Sequence, residues 1–171
     1  DVDRATQLHG LAVPLGLVSE TGVTGLTLAG GYGWMRRKHG LSCDNVLAAE
    51  VVTADGQVLT VNADEHPELF WALRGGGWDL GVVTALDYQA HPLGPDVYFS
   101  FLTFGVEEAR QVLGNLAEFA RSAPLGFAPL AVFWTFPEAD LFPAELWGQP
   151  FLAVVGPYVG DATQGEQVCA A

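Results

Sequence analysis

The 171-residue chain is poor in cysteine, in positive charge and in long apolar runs. Its only cysteines are Cys43 and Cys169, which excludes a disulfide framework and a cysteine-built zinc set. Lysine and arginine number 7 against 20 acidic residues, a formal charge of −13. Such a field repels phosphate backbones and anionic lipid, so neither a nucleic acid nor a membrane is expected as a partner. No apolar stretch, residues 127–136 included, approaches the ~18 residues of a membrane span. The opening Asp1-Val2-Asp3-Arg4 is not a signal peptide, and the reading leans to a cytoplasmic rather than a secreted location. His39-x3-Cys43 has ligand-like spacing, but no second pair completes a metal site.

What is present is core and glycine. Apolar residues make up 50% and charged residues 16%, the balance of a globular chain. Residues 2–8 read as a short helix capped by Asp1 or Asp3, and 11–19 as an extended apolar segment. A glycine-dense stretch, 20–33, is followed by one or two helical turns over 34–39. Residues 46–53 and 57–61 are β-rich and flank Ala54-Asp55-Gly56, the strongest hairpin signal in the chain. Asp64 is placed to cap a helix over 67–73, with Pro67 in its first turn. Arg74-Gly75-Gly76-Gly77 breaks that helix, 82–90 forms a strand, and His91-Pro92-Leu93-Gly94-Pro95 marks a boundary. Beyond it come a strand (97–104), an amphipathic helix (106–121), two strands (130–136 and 151–155) around an acidic Pro-rich loop, and a helix starting near Ala162. This β-α-β-β-α run is half of a layer of helices on an antiparallel sheet. It stops mid-pattern, so the chain is expected to be a piece of a longer protein.

Glycine without a Cβ lets backbone approach a ligand and adopts positive φ. The glycines of 20–33 therefore fit either a backbone cradle for an anionic cofactor or tight turns with no ligand. They do not make a dinucleotide fingerprint of the G-x-G-x-x-G kind. Arg36 stands where the third glycine after Gly31-x-Gly33 should be, and Leu80 where it should follow Gly75-x-Gly77.

The run Thr21-Gly22-Val23-Thr24-Gly25-Leu26-Thr27-Leu28-Ala29-Gly30-Gly31-Tyr32-Gly33-Trp34, with Arg37-Lys38-His39-Gly40-Leu41 and Asp44-Asn45-Val46, resembles the flavin-binding core of berberine-bridge-enzyme-like oxidases. These belong to the vanillyl-alcohol oxidase and p-cresol methylhydroxylase (PCMH) type superfamily. Asp64-Glu65-His66-Pro67-Glu68-Leu69-Phe70-Trp71-Ala72-Leu73-Arg74-Gly75-Gly76-Gly77, then Gly81-Val82-Val83-Thr84, is similar to that family's second hallmark. The resemblance covers residues 1–95 strongly and extends weakly to 171. It implies an α+β fold: the second subdomain of a PCMH-type FAD-binding domain over 1–95, followed over 96–171 by the start of an antiparallel-sheet substrate domain, both truncated.

By the family pattern, Thr21, Gly22 and Gly25 lie along the pyrophosphate and flavin of FAD. Gly30, Gly31 and Gly33 let the next turn pack under the ring, and Gly81, Val82 and Val83 offer backbone toward the adenosine end. The implied function is oxidation of a small-molecule alcohol, sugar or secondary metabolite, with hydride passing to the flavin and O2 as acceptor. The alternative is a non-catalytic remnant of the FAD domain with a structural or association role. No catalytic residue is assigned.

Three departures bear on this. Val18 stands where many members carry a second flavin-bonding cysteine, so a bicovalent flavin is excluded. Leu26 stands where some have histidine. Trp78 and Asp79 replace glycine and asparagine in the second glycine loop, which would weaken FAD binding if that loop faces the cofactor.

Arg36-Arg37-Lys38 is a counter-charge for phosphates, a solvated helix face, or a set of partners for nearby acids such as Asp44 and Glu50. Tyr32 and Trp34 either border the flavin or pack in the core, whereas His39, His66 and His91 read as structural. Phe99, Phe101, Phe133, Trp134 and Phe136 alternate on strands and serve as core or face a pocket. Exposed strand edges and aromatic faces make self-association an expectation for the isolated chain.

Overall fold

The chain divides at Pro95 into two units, Asp1–Pro95 and Asp96–Ala171. The computed structural model describes residues 1–77 and 79–170. In the first unit α1 (Val2–Gln7) leads to β1 (Leu11–Ala12), then to α2 (Val23–Leu28), α3 (Arg36–His39) and a 3-10 turn at Ser42–Asn45. There follow β2 (Val46–Val52), β3 (Val58–Asn62), α4 (Pro67–Gly76), β4 (Val82–Tyr88) and β5 (His91–Pro92). β2 is the centre of an antiparallel sheet ordered β3-β2-β4, and β1 pairs antiparallel with β5.

The hairpin forms as its residues dictate. Gly56 sits at φ +82, Thr53 N–H donates to Gln57 O at 2.9 Å, and the register runs from Val52↔Val58 to Ala48↔Asn62. β2 alternates, with Ala49 and Val51 buried and Glu50 exposed, so one face meets a helix and the other does not. Phe70 and Leu73 of α4, three residues apart on one helix face, close over Val46, Ala49, Val51 and Val61. Each such large apolar side chain contributes about 1.5–3 kcal/mol on full burial.

Several expectations are corrected. The glycine-dense stretch 20–33, to which no element was assigned, contains α2 at residues 23–28. Its helix forms despite Gly25 because Leu28 joins the sheet–α4 core and Thr27 is buried. Tertiary packing outweighs the glycine cost of ~1 kcal/mol. Asp64 does not cap α4. His66 takes the N-cap position at φ +51 with no side-chain cap bond, and Asn62 Oδ1 accepts from Asp64 N–H (2.9 Å) and Glu65 N–H (2.8 Å) instead. Asp1 is the N-cap of α1 but makes no side-chain cap bond. Of 11–19 only Leu11–Ala12 is paired strand, and the helix expected over 34–39 narrows to Arg36–His39. The segment 91–95, read as a boundary, ends where the two units divide, and its His91–Pro92 pairs with β1 inside the first unit.

The second unit holds β6 (Tyr98–Gly105), α5 (Ala109–Ser122), β7 (Leu130–Thr135), β8 (Pro150–Tyr158) and α6 (Ala162–Ala170). Its sheet is antiparallel in the order β6-β8-β7. β8 is central and longer than expected, with Phe151–Pro157 buried along its length. Leu102, Phe104 and Val154 on one sheet face meet Leu116 and Phe119 of α5 and Val168 of α6 around a cleft of about 230 Å³. Phe99, Phe101 and Trp134 emerge on the opposite face, where the register sets Phe101 against Val155 and Trp134 against Phe151. All three stay exposed. Among the described residues no helix is long and apolar enough to cross a membrane, and no group of three or more His, Cys, Asp or Glu could hold a metal ion.

Candidate cofactor site

The glycines of the first unit sort into two kinds by what a Cβ would meet. At Gly22 and Gly25 nothing lies within 4 Å. Gly22 is the N-cap of α2, and Gly25 is in its first turn. The N–H groups of a helix's first turn have no intrahelical partner, and Gly22 makes no side-chain cap bond. The result is a helix start with open space beside its backbone, next to the exposed Thr21. This fits a group that requires N–H donors at close range.

Gly10, Gly56, Gly75, Gly76 and Gly94 are open in the same sense, whereas the remaining glycines of the expected site lie against protein. A Cβ on Gly31, at φ +80, would lie 2.3 Å from Ser42 Oγ. On Gly33 it would lie 1.5 Å from the Leu15 carbonyl oxygen. On Gly81, at φ +146, it would lie 2.7 Å from both Val51 Cγ1 and Val52 O. Gly30, at φ +106, has only Leu41 Cδ1 at 3.8 Å. These glycines shape the backbone behind the open face. Val82 and Val83 pair with Val52 and Val51 on β4, an edge strand of the three-stranded sheet. Edge strands turn alternate N–H and C=O groups away from the sheet.

The glycine loop is braced from behind. Ser42 N–H donates to Gly31 O and Cys43 N–H to Gly30 O, both at 2.9 Å. Ser42 is fully buried, and its hydroxyl also donates to Gly31 O at 3.3 Å. Asn45 donates from Nδ2 to His39 O (2.9 Å) and Leu41 O (2.8 Å), while its Oδ1 meets His91 Nε2 at 2.7 Å. The His39 and His91 rings stack at 3.8 Å. Burial, then the neighbouring His91 and Lys38, lowers His39 to about 4, and burial followed by Lys38 lowers His91. Thr27, 1% exposed, shares a 2.6 Å hydroxyl bond with Tyr88 and so ties α2 to β4. Burial raises the Tyr88 phenol, with the Thr27 bond opposing.

Arg36 turns onto its own loop. It donates to Gly33 O at 3.0 Å, and its guanidinium lies 4.2 Å from the Tyr32 ring centre. These two contacts make Arg36 a brace for its own loop. Tyr32 is exposed and Trp34 half-buried. Asp79 is exposed at φ +67, a region aspartate tolerates as asparagine does. Trp78 lies outside the described residues.

Sequence reasoning missed Ser42, Thr27, Tyr88 and Arg74 as parts of this scaffold. Ser42 and Thr27 carry no pattern of their own. Arg74 was visible as the start of a glycine break and as part of the second glycine-rich motif, with no contact assigned to it.

The FAD binding domain family matches residues 1–62. The FAD-linked oxidoreductase pgmH of Aspergillus terreus is 43% identical over 110 residues, spanning 64% of this chain and 22% of that protein. The crystal structure of 6-hydroxy-D-nicotine oxidase from Arthrobacter nicotinovorans superposes with a TM-score of 0.80 at 32% identity, over 98% of this chain and 36% of that one. BBE-like 1 of Physcomitrella patens gives a TM-score of 0.80 at 25% identity, over 99% and 34%. An FAD-binding fold with antiparallel sheets is thus defined by sequence and by structure. Residues 1–62 carry an FAD binding domain, and the relatives that the chain matches over part of their length are FAD-linked oxidoreductases, with berberine-bridge-enzyme-like proteins among its structural relatives. The chain spans roughly a quarter of the length of the curated relatives it matches.

Proposed function

We propose that this chain is part of a longer FAD-dependent oxidase. In this reading residues 1–95 form one wall of the cofactor site and 96–171 begin the substrate domain. Thr21, Gly22 and Gly25 lie along FAD, with Gly30, Gly31 and Gly33 setting the loop behind it and Gly81, Val82 and Val83 offering edge backbone. The observation that carries the reading is the open backbone at Gly22 and Gly25 inside the segment that matches an FAD binding domain. When bound, FAD supplies a two-electron acceptor that no side chain can provide. The chain's own residues contribute donors at the start of α2 and a rigid loop behind them.

The substrate is a small alcohol, sugar or secondary metabolite, and O2 is the final acceptor. Val18 offers no sulfur, so the flavin carries no second covalent link through that position. Neither nucleic acid nor membrane is a partner at a formal charge of −13. The absorbance spectrum of the purified full-length protein tests the reading. The two long-wavelength bands of oxidised flavin, bleached by substrate under anaerobic conditions and restored by air, are the expected result. A protein that refolds and oligomerises normally but takes up no flavin would favour the non-catalytic remnant.

A further inference from the structure

Arg74 occupies an unusual place. It stands where α4 loses helical geometry, at φ −85 and ψ +70, immediately before Gly75 at φ +115. Its guanidinium reaches beyond its own helix. Nε–H donates to the Cys43 carbonyl at 2.9 Å, a contact between residues 31 apart in sequence. Nη2 lies 3.9 Å from Asp44 Oδ1, and the guanidinium carbon lies 5.1 Å from the Phe70 ring centre. Asp44 in turn accepts from Leu41 N–H through Oδ2 at 2.8 Å. Arg74 thus grips the Ser42–Asn45 turn from the α4 side. The opposite side of that turn gives Ser42 N–H to Gly31 O and Cys43 N–H to Gly30 O.

We propose that Arg74 is a positioning residue for the cofactor site: it holds the Ser42–Asn45 turn, and the turn holds Gly30 and Gly31 in their positive-φ path behind the open backbone of α2. This rests on the FAD reading above. The planar guanidinium suits the task because one rigid fork reaches a carbonyl and a carboxylate together, whereas a lysine presents a single point charge. The ion pair itself is half in solvent and contributes little. The charge-assisted bond to the Cys43 carbonyl is the anchor.

Two measurements on the full-length protein test this, on wild type, Arg74→Met and Arg74→Lys. Hydrogen exchange in the flavin-free form reads the turn directly. In Arg74→Met the amides of Ser42 and Cys43 should exchange about tenfold faster or more, while those of Ala49 and Val51 in β2 stay unchanged, with Arg74→Lys between. FAD titration should give a dissociation constant about tenfold weaker for Arg74→Met, the loss of one charge-assisted bond acting through the loop. Unchanged exchange at Ser42 and Cys43, equal acceleration throughout β2, or unchanged FAD affinity in a wild type that binds FAD would each overturn the proposal. If Arg74→Met does not fold, Arg74→Lys is read by the same criteria. A wild type that takes up no FAD would instead sink the cofactor reading, and the exchange measurement alone would then decide whether Arg74 holds the loop.

Discussion

Replacing Gly25 with alanine separates folding from cofactor binding. Gly25 lies in the first turn of α2, and an added Cβ would meet no heavy atom within 4 Å. For the polypeptide alone the change is benign. Alanine costs less backbone entropy than glycine in a helix, by about 0.5–1 kcal/mol. The apo protein should therefore become slightly more stable, by a few degrees in Tm at most. For FAD the same methyl group occupies the surface through which backbone donors reach the ligand. Losing one close charge-assisted bond costs about 1.5–3 kcal/mol, roughly ten- to a hundredfold in affinity. Gly31→Ala is the counterpart. There the methyl group collides with buried Ser42 at φ +80, so strain of about 1–2 kcal/mol adds to about 1–3 kcal/mol of overpacking. That variant should lose stability first. Urea melts of the apo full-length protein and fluorescence titration with FAD give both quantities. If Gly25→Ala binds FAD as wild type does, the open face at α2 is not a cofactor surface and the site assignment fails.

The isolated 171-residue chain should bind FAD more weakly than micromolar and self-associate through the exposed face bearing Phe99, Phe101 and Trp134. A monodisperse monomer with micromolar affinity in light scattering and titration would refute this. Thr27→Val leaves the half-buried Tyr88 hydroxyl without its 2.6 Å partner and should destabilise the first unit by about 1–3 kcal/mol. A double-mutant cycle with Tyr88→Phe should recover part of that loss, and strict additivity would show that the bond carries no energy. His39 is held at about 4 in the fold against 6.5 in the unfolded chain. Between those values the unfolded state binds more protons, so stability is full above 6.5 and falls as pH drops toward 4. His39→Gln should flatten the decline of Tm over that window, and an unchanged slope would place the acid sensitivity elsewhere.

How far the fold was legible depended on whether the deciding forces were local. The hairpin at Ala54-Asp55-Gly56 and the amphipathic pattern of α5 are local and were read correctly. α2 was not, since its glycines argue against a helix and its stability comes from Leu28 and Thr27 packing on distant strands. The cap of α4 was misplaced because the path of the chain puts His66 at the N-cap and turns Asp64 into the loop before the helix, where its N–H bonds Asn62 Oδ1.

The sequence by itself determined the class. Two long glycine-rich motifs in fixed order resemble those of FAD-linked oxidases, and that resemblance set the expected class, whereas the glycines alone record only that backbone must come close to something. It did not determine what that something is. Tertiary structure decided that Gly31, Gly33 and Gly81 face protein while Gly22 and Gly25 face open space. It also decided that Arg36 braces its own loop and that Arg74 reaches a turn 31 residues away. A missing Cβ leaves the same mark in a sequence whether the space is filled by a neighbouring strand or by a ligand. Only the distances between residues remote in the chain distinguish the two.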